Sequence, residues 1–380
     1  MSDPVAILSA GPVAAYPAVS RAMSRPMLYD YDPAFQKLYE SVARKAAAAL
    51  RVEQPPLILH YEPAPGIEAA AASLIGPDDV VLNLVSGVYG AGFTFWARRY
   101  AKEVHEVSVP FDDAIDPAAV ARALKARPET RIVSVVHHDT PSGTINPLAE
   151  IGRVVREHGA LLLVDAVSSF AGMSIHPGDC HADVFITGPG KCLGGTPGLT
   201  LMAVSEAAWN AMEHNPRAPR ASVLSLLDWR QAWRADQPFP FTPSIAEIYG
   251  LEAALDLYLQ EGPEAVWARH AATARACRAG VQALGLGLWP SREAVASPSC
   301  TALRLPDGFA GEAILAAARA CGVVFSGGRG ATAGKLLRIG HMGPVARPLY
   351  APLAVTALGT ALRRLGFSCN VGQAVEAALG

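Results

Sequence analysis

The chain has 380 residues, of which 51% are hydrophobic, with a formal net charge of −2 at pH 7 and a pI near 6.6. This length and apolar content suffice for one large domain and a smaller one, and the near-neutral charge excludes a strongly basic binder of nucleic acid or anionic membranes. No run of 18 apolar residues and no signal-peptide pattern occur, so we expect a cytoplasmic protein without a membrane span that acts on small molecules.

The six cysteines are scattered along the chain, without a CxxC pair or the Cys/His spacing of a metal site. They are therefore predicted to be reduced thiols, and no metal centre is expected. Only Cys192, next to Lys191, is expected to lie near any chemistry.

Strand and helix patterns alternate along the chain after a loop-like N-terminal arm, residues 1–20. Short apolar runs bounded by Gly and Pro predict a mostly parallel, doubly wound α/β sheet in a large domain, residues 21–264. A linking helix and a smaller C-terminal α+β domain are expected over residues 265–380. The strands predicted for the large domain lie near 56–60, 80–86, 104–109, 131–136, 184–187 and 199–204, with one more ending at Asp165.

Polar side chains follow several of these apolar runs, at the points where the strands end. Asp165 stops one run, and Lys191 follows the next within a Gly/Pro-rich turn. Because ligands of an open α/β sheet bind at the carboxyl ends of its strands, these two side chains are expected to face one cleft. Glu62, Tyr89 and Thr140 follow three further strands and are predicted to reach the same cleft.

This set of side chains suits the chemistry of a pyridine aldehyde. A lysine forms a Schiff base with the aldehyde and moves a proton once it is released, while a carboxylate keeps the ring nitrogen protonated so that the ring accepts electrons. An aromatic side chain supplies a stacking face. The sequence therefore indicates a site for a vitamer of the pyridoxal type.

Six motifs occur in order along the chain, namely GPV near the start, GVYG, HHDTPSG, VDAVSS, TGPGKCLGGTPG and the late RIGHMG. In this order, and over nearly the whole chain, they resemble the class V aminotransferases of fold type I, which are related to the alanine–glyoxylate enzymes. The resemblance implies the fold of pyridoxal phosphate-dependent transferases, with a large domain on a mostly parallel doubly wound sheet and a smaller C-terminal α+β domain.

The resemblance also implies roles for residues at matching positions. Lys191 falls on the Schiff-base lysine and Asp165 on the aspartate at the ring nitrogen. Tyr89 falls on the stacking aromatic residue, Val167 on the residue at the opposite ring face, and Thr140 on the hydroxyl residue near the 3-oxygen of the ring.

The turn that would hold the 5′-phosphate departs from the family pattern. Relatives bind the phosphate with a Gly/Ser-rich turn at a helix start, where backbone N–H groups favour an anion. Here Pro63 and Pro65 remove two donors and Glu62 adds a negative charge, which would cost roughly 4 kcal/mol at about 4 Å from a phosphate charge. A neutral 5′-hydroxyl can instead donate to Glu62, so the sequence predicts a site for unphosphorylated pyridoxal or pyridoxamine. Gly190, where the family often has a phosphate-binding Gln, agrees with this prediction.

Further segments, among them LYDYDPAFQ, GPEAVWARHA and GRG followed by RIGHMGP, resemble members of the family that treat the vitamer as a substrate. This closer resemblance implies amino transfer from pyridoxamine to pyruvate, giving pyridoxal and L-alanine through a Lys191 Schiff base, as in vitamin B6 degradation. No separate cofactor is then needed. Arg338 falls on the arginine that holds the substrate carboxylate, and Arg329 is expected beside it.

The expected assembly also follows from the resemblance. Tyr29 is expected to fill the vacated phosphate space, and Phe241 lies in the segment where a neighbouring subunit of relatives offers a Tyr hydroxyl. Because the family builds its sites across a dimer interface, we expect at least a homodimer, and the closer resemblance implies a homotetramer.

Two other functions are compatible with the same residues. One is a conventional pyridoxal phosphate-dependent aminotransferase of the alanine–glyoxylate type, which would contact the phosphate elsewhere. The other is a non-catalytic sensor that binds a vitamer. The near-neutral charge and the intact set of Lys191, Asp165 and Arg338 argue against the sensor.

Overall fold

The computed structural model describes residues 6–380 as alternating helices and strands. The helices of this part of the chain are α1 (Pro17–Met23), α2 (Pro33–Leu50), α3 (Pro63–Leu74), α4 (Val88–Tyr100), α5 (Pro117–Ala126), α6 (Leu148–His158), α7 (Glu206–His214), α8 (Leu226–Trp229), α9 (Ile245–Glu261), α10 (Pro263–Ala283), α11 (Gly311–Ala320), α12 (Tyr350–Arg364) and α13 (Val371–Leu379). The strands are β1 (Ala6–Ile7), β2 (Leu57–Leu59), β3 (Val80–Val85), β4 (Glu103–Ser108), β5 (Thr130–Val136), β6 (His138–Asp139), β7 (Thr144–Ile145), β8 (Leu161–Asp165), β9 (Val184–Thr187), β10 (Thr200–Val204), β11 (Cys300–Arg304), β12 (Val323–Val324), β13 (Ser326–Gly327) and β14 (Leu336–Gly340).

A seven-stranded sheet in the order β2-β10-β9-β8-β5-β3-β4 forms the centre of the larger unit. The pairs from β9 through β4 are parallel, and only β10 runs antiparallel to its two neighbours. Strands β3 and β9 are buried along their whole length, which explains why their sequences are apolar except for Asn83 and Thr187. The observed sheet agrees with the mostly parallel α/β sheet expected from the sequence.

Several helices around the sheet begin with residues that are favoured at helix N-termini, namely proline and a capping aspartate. Proline occupies the first position of α3 and of α5, where its missing N–H costs no helical hydrogen bond. At α5, Asp116 precedes the proline and accepts the N–H of Ala118 at 2.9 Å. The start of α4 has no such local cap, because Gly87 occupies that position.

A smaller unit follows the long helix α10. Its three-stranded antiparallel sheet has the order β11-β14-β13 and is covered by α10, α11, α12 and α13, which share a hydrophobic core of their own. The helix α10 begins at Pro263, so it occupies the position expected for the linking helix. Across residues 6–380, no helix combines the length and the apolar character needed to cross a bilayer.

The first described residues pack on the smaller unit. Of the loop-like arm expected over residues 1–20, residues 6–7 form a strand and α1 begins at Pro17, while residues 8–16 have no regular secondary structure. Strand β1 pairs in parallel with β12, and Ala6 and Leu8 lie in the core of the smaller unit. Gly340 allows this contact, because a Cβ there would lie 1.9 Å from the Ser9 carbonyl oxygen. The signal was too short to recognise, since only two residues form the strand. Residues 1–5 lie outside the described part.

Candidate functional site

A cavity of about 660 Å³ opens at the carboxyl ends of the parallel strands. Strand β8 ends at Asp165, and the turn after β9 carries Lys191. Tyr89 reaches the cavity from the first turn of α4, which follows β3 directly. Six of the predicted site residues line its wall, namely Glu62, Tyr89, Asp165, Val167, Lys191 and Arg329.

The Lys191 amine lies in an enclosed part of the site. Its Nζ donates a hydrogen bond to the carbonyl oxygen of Ala10 at 3.1 Å. Burial lowers the pKa of Lys191, and the positive charge of Arg338 lowers it further. Gly11 leaves room for the side chain, because a Cβ there would lie 2.3 Å from Nζ. The site therefore favours a neutral, nucleophilic lysine amine.

Asp165 presents its carboxylate at the floor of the cavity. One oxygen accepts the N–H of Val167 at 2.9 Å, which fixes the carboxylate and leaves the other oxygen for a ligand. Burial raises the pKa of Asp165 to about 6, while the Val167 N–H and the nearby Lys191 act in the opposite direction. The carboxylate is ionised above that pH and can pair with a protonated ring nitrogen.

Tyr89 is held by the backbone of the first turn of α4. The N–H groups of Val88, Tyr89 and Gly90 all donate to the buried carboxylate of Asp139. Sequence reasoning missed Asp139, although it stands within HHDTPSG directly before Thr140. The available signal was an acidic residue at the end of a buried strand.

The start of α3 forms the part of the wall where relatives are expected to hold a phosphate. Glu62 is the residue before the helix, its side chain is exposed at the cavity and it caps no backbone N–H. Pro63 and Pro65 follow within the first turn and have no N–H to offer. Two of the four donors that a helix start normally presents are thus absent.

Close packing around this turn explains why Gly190 stands where the family often has a phosphate-binding glutamine. A Cβ on Gly190 would lie 2.8 Å from the Cα of Pro197, so a glutamine at this position has no room without a backbone shift. A Cβ on Gly188 would meet the ring of Pro63 at 2.7 Å. Two backbone donors are missing and a carboxylate is present at this end of the cavity, so its residues do not fit a phosphate dianion.

Thr140 lies one layer behind the cavity wall rather than in it. It is fully buried, and its hydroxyl lies 3.1 Å from the hydroxyl of Ser168, which does line the cavity. The Ser168 carbonyl also lies 3.0 Å from Nδ1 of His138. Within this chain Thr140 is linked to the cavity through the Ser168 hydroxyl, and its expected place near the 3-oxygen of the ring stays a prediction.

Arg338 and Arg329 occupy different positions in the smaller unit. Arg338 is buried in β14, and its Nε and one terminal nitrogen both donate to the Gly327 carbonyl, at 2.9 and 2.7 Å. Arg329 is exposed in the turn before the short 3₁₀ helix Gly330–Thr332 and lines the cavity. Its side chain has no ion-pair partner among residues 6–380, so it can turn toward an anion in the cavity.

Tyr29 and Phe241 do not reach the cavity of a single chain. Tyr29 is 68% exposed and Phe241 37% exposed on the surface of this protomer. Their expected contact with the vitamer stays a prediction, because relatives bring such side chains to the site from a neighbouring subunit and a single chain does not test it. Among the described residues, no three His, Cys, Asp or Glu side chains are grouped to hold a metal ion.

The family described as Aminotransferase class-V matches residues 15–369 of this chain. Pyridoxamine–pyruvate transaminase of Mesorhizobium japonicum is 62% identical over 379 residues, which cover 100% of this chain and 96% of that protein.

Solved structures give the same result. The crystal structure of pyridoxamine–pyruvate aminotransferase from Mesorhizobium loti superposes with a TM-score of 0.98 at 62% identity, covering 100% of this chain and 97% of that one. Ureidoglycine–glyoxylate aminotransferase from Bacillus subtilis superposes with a TM-score of 0.94 at 29% identity, covering 100% and 98%. With its fold type I architecture and with Lys191, Asp165 and Arg329 around one cavity, the chain belongs to the class V aminotransferase family.

Proposed function

We propose that this aminotransferase moves the amino group of pyridoxamine to pyruvate, giving pyridoxal and L-alanine, as a cytoplasmic step of vitamin B6 degradation. The observation that carries the proposal is the start of α3, where Glu62 and two prolines replace a phosphate-binding turn. The relative at 62% identity, whose name states this reaction, supports it. The vitamer is then a substrate, and no separate cofactor takes part.

The ring of the vitamer would lie between Tyr89 and Val167, which line the cavity on either side of Asp165. A pyridine ring protonated at its nitrogen supplies an electron sink for the carbon that loses a proton. Asp165 keeps that nitrogen protonated, because its second oxygen is available and its carboxylate is ionised near neutral pH. Ser168, supported by Thr140, offers a hydroxyl for the 3-oxygen of the ring.

Lys191 provides the amine that acts as acid and base. The lowered pKa leaves a larger fraction of the amine neutral, so that Nζ can take a proton from one carbon and return it to the other. The Ala10 carbonyl holds Nζ at 3.1 Å while no ligand is attached to it. This contact keeps the amine at the cavity in an enzyme whose lysine is unmodified between turnovers.

Two cations would bind the carboxylate of the keto acid. Arg338 has its orientation fixed by the Gly327 carbonyl and keeps further N–H groups for the substrate. Arg329 lies in an exposed turn and can close on the same carboxylate. Pyruvate suits this arrangement, because it has a single carboxylate, which both arginines can bind, and no second charged group that would need a further partner.

A homo-oligomer, at least a dimer and by the closer resemblance a tetramer, would complete the site. Exposed aromatic side chains support an interface between copies, with Phe95 at 72%, Tyr29 at 68% and Phe241 at 37% exposure. In such an assembly a neighbouring chain would bring Tyr29 and Phe241 to the phosphate-free end of the cavity.

The proposal is tested by turnover of dialysed protein with pyridoxamine and pyruvate, without added pyridoxal phosphate. Pyridoxal and L-alanine are expected in equal amounts, and Lys191→Ala is expected to lower the rate at least about 1,000-fold. Lys125→Ala, which changes an exposed lysine on α5, is the matched control and should leave the rate unchanged. Turnover that requires pyridoxal phosphate, or that survives in the Lys191 variant, would contradict the proposal.

A further inference from the structure

We infer that Asp139, together with Asn83, is a positioning residue that fixes the first turn of α4 and thereby the Tyr89 ring against the vitamer. The inference rests on the proposed function, because it assigns a role in vitamer binding. It concerns a buried carboxylate that touches neither the cavity nor its ligand. Asp139 is not among the residues that line the cavity, whereas Tyr89 and Asn83 are.

The hydrogen bonds of Asp139 all go to the helix start. One carboxylate oxygen accepts the N–H of Val88 at 3.1 Å, and the other accepts those of Tyr89 at 2.8 Å and Gly90 at 3.1 Å. The side chain is 0% exposed, so water cannot replace these bonds. Three N–H groups that a helix start normally leaves unsatisfied are therefore used by a single side chain.

Asn83 holds the same turn from its carbonyl side. Its amide nitrogen donates to the Gly90 carbonyl and to the Thr94 hydroxyl, both at 2.8 Å, and its own oxygen accepts the Ser134 hydroxyl at 2.8 Å. Asn83 stands in the middle of the buried strand β3, where an apolar residue would be usual. The first turn of α4 is thus bound on its N–H side by Asp139 and on its carbonyl side by Asn83.

The arrangement differs from an ordinary helix cap. A local cap comes from the residue before the helix, but that position holds Gly87, and a Cβ there would lie 2.1 Å from the carboxyl carbon of Asp139. The carboxylate at this helix start comes instead from Asp139, in a hairpin about fifty residues away in the sequence. Burial raises the pKa of Asp139 to about 6, against the opposing effect of its three N–H partners, so this contact is costly to maintain.

The hairpin β6–β7 links the Tyr89 turn to other parts of the site. Thr140 follows Asp139 directly and lies beside Ser168 at the cavity wall. The hydroxyl of Thr332 accepts the backbone N–H of Arg329 at 2.9 Å, and it shares its own proton between the carbonyl oxygens of Arg329 at 2.9 Å and Pro141 at 3.3 Å. A rigid hairpin therefore sets the position of the stacking ring relative to the cation that faces the substrate carboxylate.

A double-mutant cycle between Asp139 and Tyr89 tests the inference. In Asp139→Asn one oxygen becomes an amide that opposes the N–H donors, so the turn loosens. We expect the Kd for pyridoxal to rise about 10-fold with Tyr89 present and less than about 2-fold in the Tyr89→Leu background. Equal effects in both backgrounds would overturn the inference, because Asp139 would then act without Tyr89.

Control variants separate positioning from stability. Asp116→Ala removes the cap of α5 and should lower the melting temperature without changing the Kd for pyridoxal. If Asp139→Asn does not yield folded protein, the cycle is run with Asn83→Ser, which releases the Gly90 carbonyl and should show the same dependence on Tyr89. An effect of Asn83→Ser that is independent of Tyr89 would also overturn the inference.

The double-mutant cycle between Asp139 and Tyr89 can still be interpreted if the proposed function is wrong. Should the wild-type protein bind pyridoxal phosphate and not pyridoxal, the vitamer assignment is wrong, and the cycle is measured with the phosphate by the same criterion. The stacking of the Tyr89 ring does not depend on the 5′ substituent of the vitamer. A wrong vitamer assignment therefore changes which vitamer binds, whereas a wrong role for Asp139 removes the dependence of its effect on Tyr89.

Discussion

Two helices, α3 and α4, begin at the cavity, and the backbone N–H donors of their first turns differ. At the start of α3, Pro63 and Pro65 remove backbone donors and the exposed Glu62 carboxylate caps nothing. At the start of α4, the donors are present, but three of them are bound by the buried carboxylate of Asp139. A helix start normally attracts an anion, and here neither one remains available for it.

The comparison shows how an anion site can be lost by two different means. At α3 the carboxylate faces the cavity, so it repels a phosphate and can accept a hydroxyl. At α4 the carboxylate faces the helix, so it neutralises the helix start and holds the turn in place. We interpret the first as recognition of the vitamer and the second as positioning of the ring that stacks on it.

The largest effect is expected from the α3 start. Glu62→Ser should weaken pyridoxal binding by about 10-fold or more, because a charge-assisted hydrogen bond of roughly 1.5–3 kcal/mol is lost, and should strengthen binding of pyridoxal phosphate. Titration of each vitamer, followed by its absorbance, measures both changes. Glu68→Gln on the same helix is the control and should change neither affinity. An unaltered preference in Glu62→Ser would remove Glu62 from the account.

A smaller effect is expected from disturbing the α4 start. Gly87→Ala places a Cβ against the Asp139 carboxyl group, so we expect a loss of about 1–3 kcal/mol in unfolding free energy and weaker vitamer binding. Gly92→Ala in the same helix meets no atom within 4 Å and should instead stabilise the protein slightly. Denaturant unfolding of the two variants checks this, and equal stabilities would contradict the close contact at Gly87.

Asp165 lies between the two helix starts and gives a pH-dependent effect on stability. Burial raises its folded pKa to about 6, so the folded protein binds this proton more tightly than the unfolded chain does. The stabilising contribution is complete below the unfolded pKa and is lost as the pH rises through about 6. Asp165→Asn should therefore raise the melting temperature of ligand-free protein at pH 8, with a smaller gain at pH 5. A gain independent of pH would contradict this assignment, and activity should be lost in either case.

The smallest effect is expected from restoring one donor at the α3 start. Pro65→Ala adds an N–H group near the 5′ end of the cavity, so pyridoxal phosphate should bind about 2- to 5-fold more tightly while pyridoxal binding stays unchanged. Pro33→Ala, at the first position of α2, is the control for replacing a proline at a helix start. A change in pyridoxal affinity as large as that for the phosphate would show a general loosening of the turn.

The sequence predicted the sheet and the two central site residues for a clear physical reason. Buried parallel strands are short apolar runs, and polar residues at their ends must meet at one edge, so Asp165 and Lys191 could be placed together. Helix α2, Pro33–Leu50, was not predicted, although Asp32 and the following proline form a helix-start signal. Strand β1 was not predicted, because a strand of two residues is too short to show an alternating pattern.

The remaining site residues could not be predicted because their roles depend on contacts between distant segments. The Ala10 carbonyl receives Nζ of Lys191 from 181 positions away, and a backbone carbonyl leaves no trace in a sequence. The Ser168 hydroxyl lies 3.1 Å from that of Thr140, a contact between segments 28 positions apart. Tyr29 and Phe241 remain on the surface of one chain, so their expected contact with the vitamer depends on a neighbouring subunit.

The most direct measurement is the titration of the wild-type protein with pyridoxal and, separately, with pyridoxal phosphate. The account predicts that pyridoxal changes its absorbance on binding at concentrations at least about 10-fold below those needed for the phosphate. Tighter binding of the phosphate would contradict it, because the start of α3 would then accept an anion in spite of Glu62 and its two prolines.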